Sequence, residues 1–183
     1  GLDKKVAAVI TSMEQPLGRM VGNFLEVEES AMALQGKGPS DLMEVTMRLT
    51  AWMLVAGRIE PDVETALRRC RKELESGAAY ERFIKNIELQ GGDPGQMEAG
   101  FGVRRADLSV DLTAGEDGYI QEINAYKTGM AGVYLGAGRS KTDDDVYPDV
   151  GIVFQKKCGD SVEKNEPLCR IFARDEEGLD QAQ

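Results

Sequence analysis

The sequence contains no histidine, only three cysteines and few aromatic residues, which make up 6% of its 183 positions. Without histidine, the chain lacks the side chain that most often serves as a general base and as a zinc ligand. Cys70, Cys158 and Cys169 are odd in number and far apart, so they predict neither a disulfide framework nor a zinc site. We expect all three to be reduced thiols in the core of a cytoplasmic protein.

Positive charge and long apolar runs are also scarce. The chain has 22 Lys and Arg against 32 Asp and Glu, a net charge of −10, which argues against nucleic acid or an anionic membrane surface as a partner. No apolar run reaches the roughly 18 residues that a membrane span needs, and the N-terminus lacks the layout of a signal peptide. Walker A, Gly-x-Ser-x-Gly and calcium-loop patterns are absent too, so any chemistry would rest on other motifs.

The front of the chain combines an apolar run with an amphipathic pattern. Residues 4–12 (KKVAAVITS) are typical of a short, buried strand of the parallel type, whose sheet partners we expect upstream of this sequence. Pro16 suits the first turn of a helix. Behind it, residues recur at intervals of three and four: Leu17, Met20, Val21, Phe24, Leu25, Met32 and, as the polar member, Glu28. Gly18 and Gly22 each cost roughly 1 kcal/mol inside a helix. They indicate either a close approach by another backbone or a ligand, or plain helix packing.

Periodicity divides the rest of the chain into a helical part and a β-rich part. Helices are predicted at residues 40–55, 62–76 and 78–89. The glycine-rich residues 90–102 are interpreted as a linker at a domain boundary. Beyond the linker the apolar period changes to two, which predicts strands at residues 108–112, 119–123, 150–155 and 168–173, with a helix at 128–135.

Two motifs resemble one known family. Residues 13–29, Met-x-Gln-Pro-Leu-Gly-x-x-Val-Gly-Asn-x-Leu-Glu-Val-x-Glu, resemble a segment of the thymidine and pyrimidine-nucleoside phosphorylases. Residues 126–139, Tyr-x-x-Gly-Met-Ala-x-x-x-Leu-Gly-Ala-Gly-Arg, resemble part of their C-terminal domain, as do the acidic loop and strand that follow. The resemblance covers about residues 4–175. It implies that residues 1–100 are the last part of the family's α/β domain, 101–175 its C-terminal domain and 176–183 a tail.

A second, weaker resemblance concerns the β-rich part. Residues 116–120, Glu-Asp-Gly-x-Ile, and residues 159–168, Gly-Asp-x-Val-x-x-x-x-Pro-Leu, resemble the half-motifs of biotinyl and lipoyl domains. A lysine-bearing carrier is disfavoured, because a helix and a long loop separate the halves and no Met-Lys-Met tripeptide is present. The predicted fold class is α+β (mixed α/β). It comprises one residual parallel-type strand, a helical segment, and a hammerhead-like C-terminal domain resembling a flattened biotinyl-type barrel.

The family resemblance also implies an activity and the position of its residues. Family members are homodimers that cleave pyrimidine nucleosides (thymidine or uridine) with phosphate, giving the base and a pentose 1-phosphate. Their phosphate-binding Lys-His-Ser-Thr-Gly-Gly loop and their base-binding residues lie upstream of the matched region, and this sequence contains neither. We therefore assign no catalytic residue and expect the isolated chain to be inactive and monomeric. The alternative is a stand-alone, non-catalytic binding or regulatory module derived from this region.

One family site reaches the matched region. Some members bind a potassium-like cation beside the phosphate loop, and the resemblance implies the carbonyl oxygens of Leu17 and Met20 and the side chain of Glu29 as its ligands. Oxygen ligands of this kind suit hard cations. Since the upstream loop would complete the coordination shell, we expect no cofactor in this fragment. For the isolated chain, this favours an exposed Glu29 without a role over a Glu29 that binds the cation.

Overall fold

The chain folds into short helices and strands that form two compact units, as seen in a computed structural model that describes residues 6–183. We name residues 6–12 and 30–94 the helical unit, and residues 13–29 and 95–183 the sheet unit. The predicted α+β class is confirmed. In chain order, the elements are β1 (Met20–Val21), α1 (Asn23–Leu34), α2 (Ser40–Ala56), α3 (Val63–Glu75), α4 (Ala78–Leu89), α5 (Pro94–Ala99), β2 (Leu108–Thr113), β3 (Gly118–Tyr119), α6 (Ala125–Tyr134), β4 (Gly151–Phe154), β5 (Ser161–Val162), β6 (Pro167–Ala173) and α7 (Glu176–Ala182).

The helical unit follows the sequence prediction closely. Helices α2, α3 and α4 lie within a residue or two of their predicted limits. Helix α3 begins where the Asp62 carboxylate accepts the Thr65 N–H at 2.8 Å, an N-terminal cap. Ala51, Ala66 and Leu67 form the buried centre of this unit. The linker predicted at residues 90–102 contains α5, which Pro94 opens at a position where its missing N–H has no intrahelical partner.

The strand predicted at residues 4–12 is not formed by residues 6–12, and residues 4 and 5 lie outside the described part of the chain. Val6 and Ile10 are 85% and 97% exposed. A strand is stabilised by the ladder it makes with a neighbour. Within residues 6–183, the sheets are built from other segments, so this run has the composition of a strand but belongs to neither sheet.

The helix predicted to follow Pro16 begins only at Asn23. The intervening Met20 and Val21 form β1, which pairs antiparallel with Val153 and Ile152 of β4. The glycines explain the difference, because φ is +74° at Gly18 and +138° at Gly22, which no α-helix permits.

The close backbone approach predicted for these glycines is confirmed at Gly22. A Cβ atom there would overlap the carbonyl oxygen of Val150 and would lie 3.1 Å from the Cα of Gly151. Gly22 thus lets the β1–α1 junction lie directly against the start of β4.

The sheet unit contains a four-stranded antiparallel sheet, in the order β1-β4-β6-β2, and a separate pair, β3-β5. Val150, Ile152 and Ile171 lie at the centre of its core. The predicted biotinyl-type barrel is wrong as a closed structure, because the two-residue strands β3 and β5 pair with each other and not with the larger sheet. The strand predicted at 119–123 is reduced to β3. The predicted tail contains α7, which Asp175 caps at Gly178 N.

The described cysteines are all free thiols, as predicted. Cys70 and Cys169 are buried, whereas Cys158 is half-buried and so is only in part a core residue. Burial raises the pKa of Cys169 to about 11. Among residues 6–183, no helix has the length and apolar character to cross a bilayer.

Candidate cation-binding loop

Residues 14–19, which we name the Pro16 loop, lead into β1 at the edge of the four-stranded sheet. Phe154 N–H donates to the Arg19 carbonyl at 2.7 Å, which extends the β1–β4 pairing back into the loop. Ala125 N–H donates to the Glu14 carbonyl at 3.2 Å. The loop is therefore held at both of its ends by the sheet unit.

Glu29 reaches this loop from α1 as a buried carboxylate. Its side chain is 5% exposed, and its Oε1 accepts the Arg19 N–H at 2.8 Å. A Cβ atom on Gly18 would overlap the Glu29 carboxylate, so the absence of a side chain at this position makes room for it. The prediction that Glu29 is exposed is wrong. A buried carboxylate is costly unless it is hydrogen-bonded, and the main chain of the loop supplies such a bond.

Lys157 contacts the same loop from the turn between β4 and β5. Its Nζ donates to the carbonyl oxygens of Pro16 and Gly18, at 2.6 Å in the latter case. These carbonyls belong to the residues immediately before and after Leu17. The ammonium therefore fixes the main chain on both sides of a predicted cation ligand.

Arg19 adds a second cationic contact. Its guanidinium donates to the Gln155 carbonyl at 2.6 Å and lies 4.0 Å from the Asp160 carboxylate. The Pro16 loop and the β4–β5 turn are thus joined by two long side chains that reach across in opposite directions.

The structure brings the predicted ligand Glu29 to the backbone that lies between the other two, Leu17 and Met20. Leu17 has an exposed side chain, and Met20 lies in β1, so both would act through their carbonyl oxygens. Main-chain carbonyls together with one carboxylate form an all-oxygen donor set of low charge, which fits a hard monovalent cation. Residues 6–183 contain no cluster of three or more His, Cys, Asp or Glu side chains suited to a metal.

Sequence reasoning missed Lys157 and the role of Gly18. The available signal was the Lys-Cys-Gly-Asp turn at residues 157–160, which overlaps the start of the biotinyl-like half-motif at residue 159. Asp160 closes this turn by accepting the Lys157 N–H at 2.8 Å, and Gly159 adopts φ +92°. The turn therefore presents Lys157 from a defined position.

The neighbouring Glu28 has a different partner. Its carboxylate pairs with Arg105 at 2.8 Å and accepts the Gly102 N–H at 3.0 Å. Both side chains of the pair are largely buried. The one polar position in the apolar stripe is thus explained by an internal ion pair. Of the neighbouring pair Glu28 and Glu29, only Glu29 is seen to bond to the Pro16 loop.

Part of the sheet unit matches a known family of domains. Residues 119–183 match the family described as the pyrimidine nucleoside phosphorylase C-terminal domain. The chain as a whole matches the C-terminal portion of pyrimidine-nucleoside phosphorylases, which confirms the resemblance found in the sequence.

The similarity to individual relatives covers almost the whole chain. The pyrimidine-nucleoside phosphorylase of Bacillus subtilis (strain 168) is 37% identical over 173 residues, which are 94% of this chain and 40% of the relative. The enzyme of Geobacillus stearothermophilus is 36% identical over 174 residues, 95% of this chain and 40% of the relative. That of Staphylococcus aureus (strain USA300) is 37% identical over 170 residues, 93% and 39% respectively. The chain therefore spans about 40% of the length of these relatives.

Proposed function

We propose that this chain provides the C-terminal portion of a cytoplasmic pentosyltransferase that cleaves thymidine or uridine with phosphate, giving the base and a pentose 1-phosphate. The observation that supports it is the 36–37% identity to pyrimidine-nucleoside phosphorylases over 93–95% of the chain. Within it, residues 1–100 would complete the α/β domain, residues 101–175 would form the C-terminal domain, and residues 176–183 would be the tail. The complete enzyme would be a homodimer.

The chain's contribution would be the Pro16 loop rather than the reacting groups. The carbonyl oxygens of Leu17 and Met20 and the Glu29 carboxylate would hold a potassium-like cation next to the phosphate site. A bound cation would neutralise the buried Glu29 charge and hold the loop at the edge of that site. The buried Glu29 carboxylate, hydrogen-bonded to Arg19 N–H at 2.8 Å, supports this placement.

A phosphorolysis assay tests the proposal. Thymidine and uridine would be offered with phosphate to the full chain alone, to the preceding portion of the Bacillus subtilis relative alone, and to the two mixed. We expect base release only from the mixture, because the phosphate- and base-binding motifs lie outside this sequence. A fusion of the two portions controls for a failure to associate.

Two results would contradict the proposal. Turnover by the chain alone would place reacting groups within these 183 residues. A folded fusion without turnover would favour the second candidate, a non-catalytic binding module. That candidate is supported by one feature of the helical unit, an apolar cavity of about 580 Å³ whose lining includes Leu34, Leu42, Met43, Met47 and Leu74.

A further inference from the structure

The contact between Lys157 and the Pro16 loop spans a large distance in sequence. Lys157 lies 141 residues from Pro16 and 139 from Gly18, yet its ammonium bonds to both carbonyls. Lysine carries three donors on a compact point charge, so one ammonium can hold two carbonyls at once. Such a contact restrains the Pro16–Leu17 and Gly18–Arg19 peptide groups, which lie on either side of the Leu17 carbonyl.

Opposite charges act on opposite ends of the loop's peptide groups. Lys157 binds carbonyl oxygens, which carry partial negative charge, whereas Glu29 accepts the Arg19 N–H, which carries partial positive charge. Gly18 takes part in both interactions, since its carbonyl accepts from Lys157 and its α-carbon lies against the Glu29 carboxylate. The two charged side chains together fix the orientation of the main chain from Pro16 to Arg19.

The lysine and the cation would use different main-chain carbonyl oxygens. Lys157 binds the carbonyls of Pro16 and Gly18, whereas the predicted cation ligands are the carbonyls of Leu17 and Met20. The ammonium bonds to Pro16 and Gly18 therefore leave the two carbonyl oxygens assigned to the ion to other partners. Asp160 accepts the Lys157 N–H and closes the turn that presents the side chain.

We propose that Lys157 is a positioning residue of the cation site: its ammonium fixes the main chain around Leu17 and thereby sets the geometry of the oxygen ligands. This inference rests on the proposed function for the identity of the site. The geometric part stands on this chain alone, so the two can be tested separately.

The first test measures the loop in the full chain. Hydrogen exchange of a peptide covering residues 13–22 would be compared in the wild type, Lys157→Met and Lys156→Met. Lys156 is the matched control, because its Nζ is equally engaged, with Ser161 O at 2.9 Å and Glu166 at 2.6 Å. We expect exchange in residues 13–22 to rise about tenfold in Lys157→Met, as for the loss of a charge-assisted hydrogen bond, and to stay unchanged in Lys156→Met. Equal exchange in all three proteins would overturn the inference.

The second test measures the cation. The fused enzyme described above would be titrated with potassium chloride against choline chloride at constant ionic strength, with heat stability and base release as readouts. Lys157→Met should raise the potassium concentration for half-maximal stabilisation about tenfold, Lys157→Arg should recover part of the loss, and Lys156→Met should match the wild type. An unchanged or lower potassium requirement in Lys157→Met would overturn the inference and indicate an ammonium that competes with the ion.

The two tests separate this inference from the proposed function. A fusion that is stabilised by potassium through Lys157 but releases no base would refute the phosphorolytic function and keep the positioning role. Should Lys157→Met fail to fold, Lys157→Arg carries the test, because it keeps the charge and changes the fit to the two carbonyls.

Discussion

Glu28 and Arg105, 77 residues apart, form a largely buried ion pair at 2.8 Å in the sheet unit. The pair ties α1 to the segment that leads into β2. The Glu28 Oε2 atom also accepts the Gly102 N–H at 3.0 Å, so this oxygen has two donors. The guanidinium of Arg104, the residue before Arg105, stacks 4.5 Å from the centre of the Phe24 ring. Phe24 lies on α1, as does Glu28.

Removing one partner of this pair should be strongly destabilising. Glu28→Gln leaves the Arg105 charge buried without its counter-charge, which costs about 3–5 kcal/mol in comparable buried pairs. Urea unfolding followed by circular dichroism would measure the loss. The control is Asp149→Asn, which breaks the more exposed Arg174 pair of the same unit and should cost a small fraction of that value. Similar losses in the two variants would contradict a special role for burial.

Gly22→Ala should destabilise the sheet unit through two separate effects. Its φ of +138° is strained for any side chain, at about 1–3 kcal/mol. The new methyl group would also overlap the Val150 carbonyl, which adds a similar amount. Gly102→Ala is the matched control, since Gly102 also has a positive φ, +71°, but faces open space. Unfolding measurements should show a larger loss of unfolding free energy in Gly22→Ala than in Gly102→Ala. An equal loss in Gly102→Ala would refute the contribution of the steric overlap.

The buried Cys169 thiol should lower the free energy of unfolding at alkaline pH. Burial raises the pKa of its thiol from 9.0 to about 11, so the folded chain holds this proton more tightly than the unfolded chain. The contribution is fully present below about pH 9 and is lost as the pH rises towards 11. The free energy of unfolding should therefore fall over this window, and less steeply in Cys169→Ala. A Cys169→Ala slope as steep as the wild type's would contradict the assignment.

Local patterns predicted the helical unit well, and long-range pairing explains where they did not suffice. Helices α2 to α4 are continuous amphipathic segments whose limits are set by nearby turns and caps such as Asp62. The spacing of Leu17, Met20 and Val21 also suits a helix. Their actual structure depends on β4, with Arg19 lying 135 residues from Phe154. Nothing within a short window of sequence reveals such a partner.

In the candidate site, too, local sequence motifs predicted some residues, and others depend on long-range contacts. The motif at residues 13–29 identified Leu17, Met20 and Glu29, and these ligands stay a prediction. Glu29 was predicted to be exposed, and the residues near it in sequence, Glu26 and Ser30, are indeed polar and exposed. Its burial follows from the absence of a side chain at Gly18. Lys157 could be identified only once the fold had brought the β4–β5 turn to the Pro16 loop.

The discontinuous make-up of the sheet unit has a consequence for biosynthesis. Its first segment, residues 13–29, leaves the ribosome well before residues 95–183, and the residues between them belong to the helical unit. Chains emerge from the N-terminus, so β1 and the buried carboxylates of α1 must remain in water until β4 and Arg105 have been made. The helical unit, with its local contacts, can become ordered during that interval, whereas closure of the sheet is the late and slow step. Chaperone dependence and aggregation of the nascent chain should accordingly depend on the time that passes between synthesis of the Pro16 loop and synthesis of Lys157.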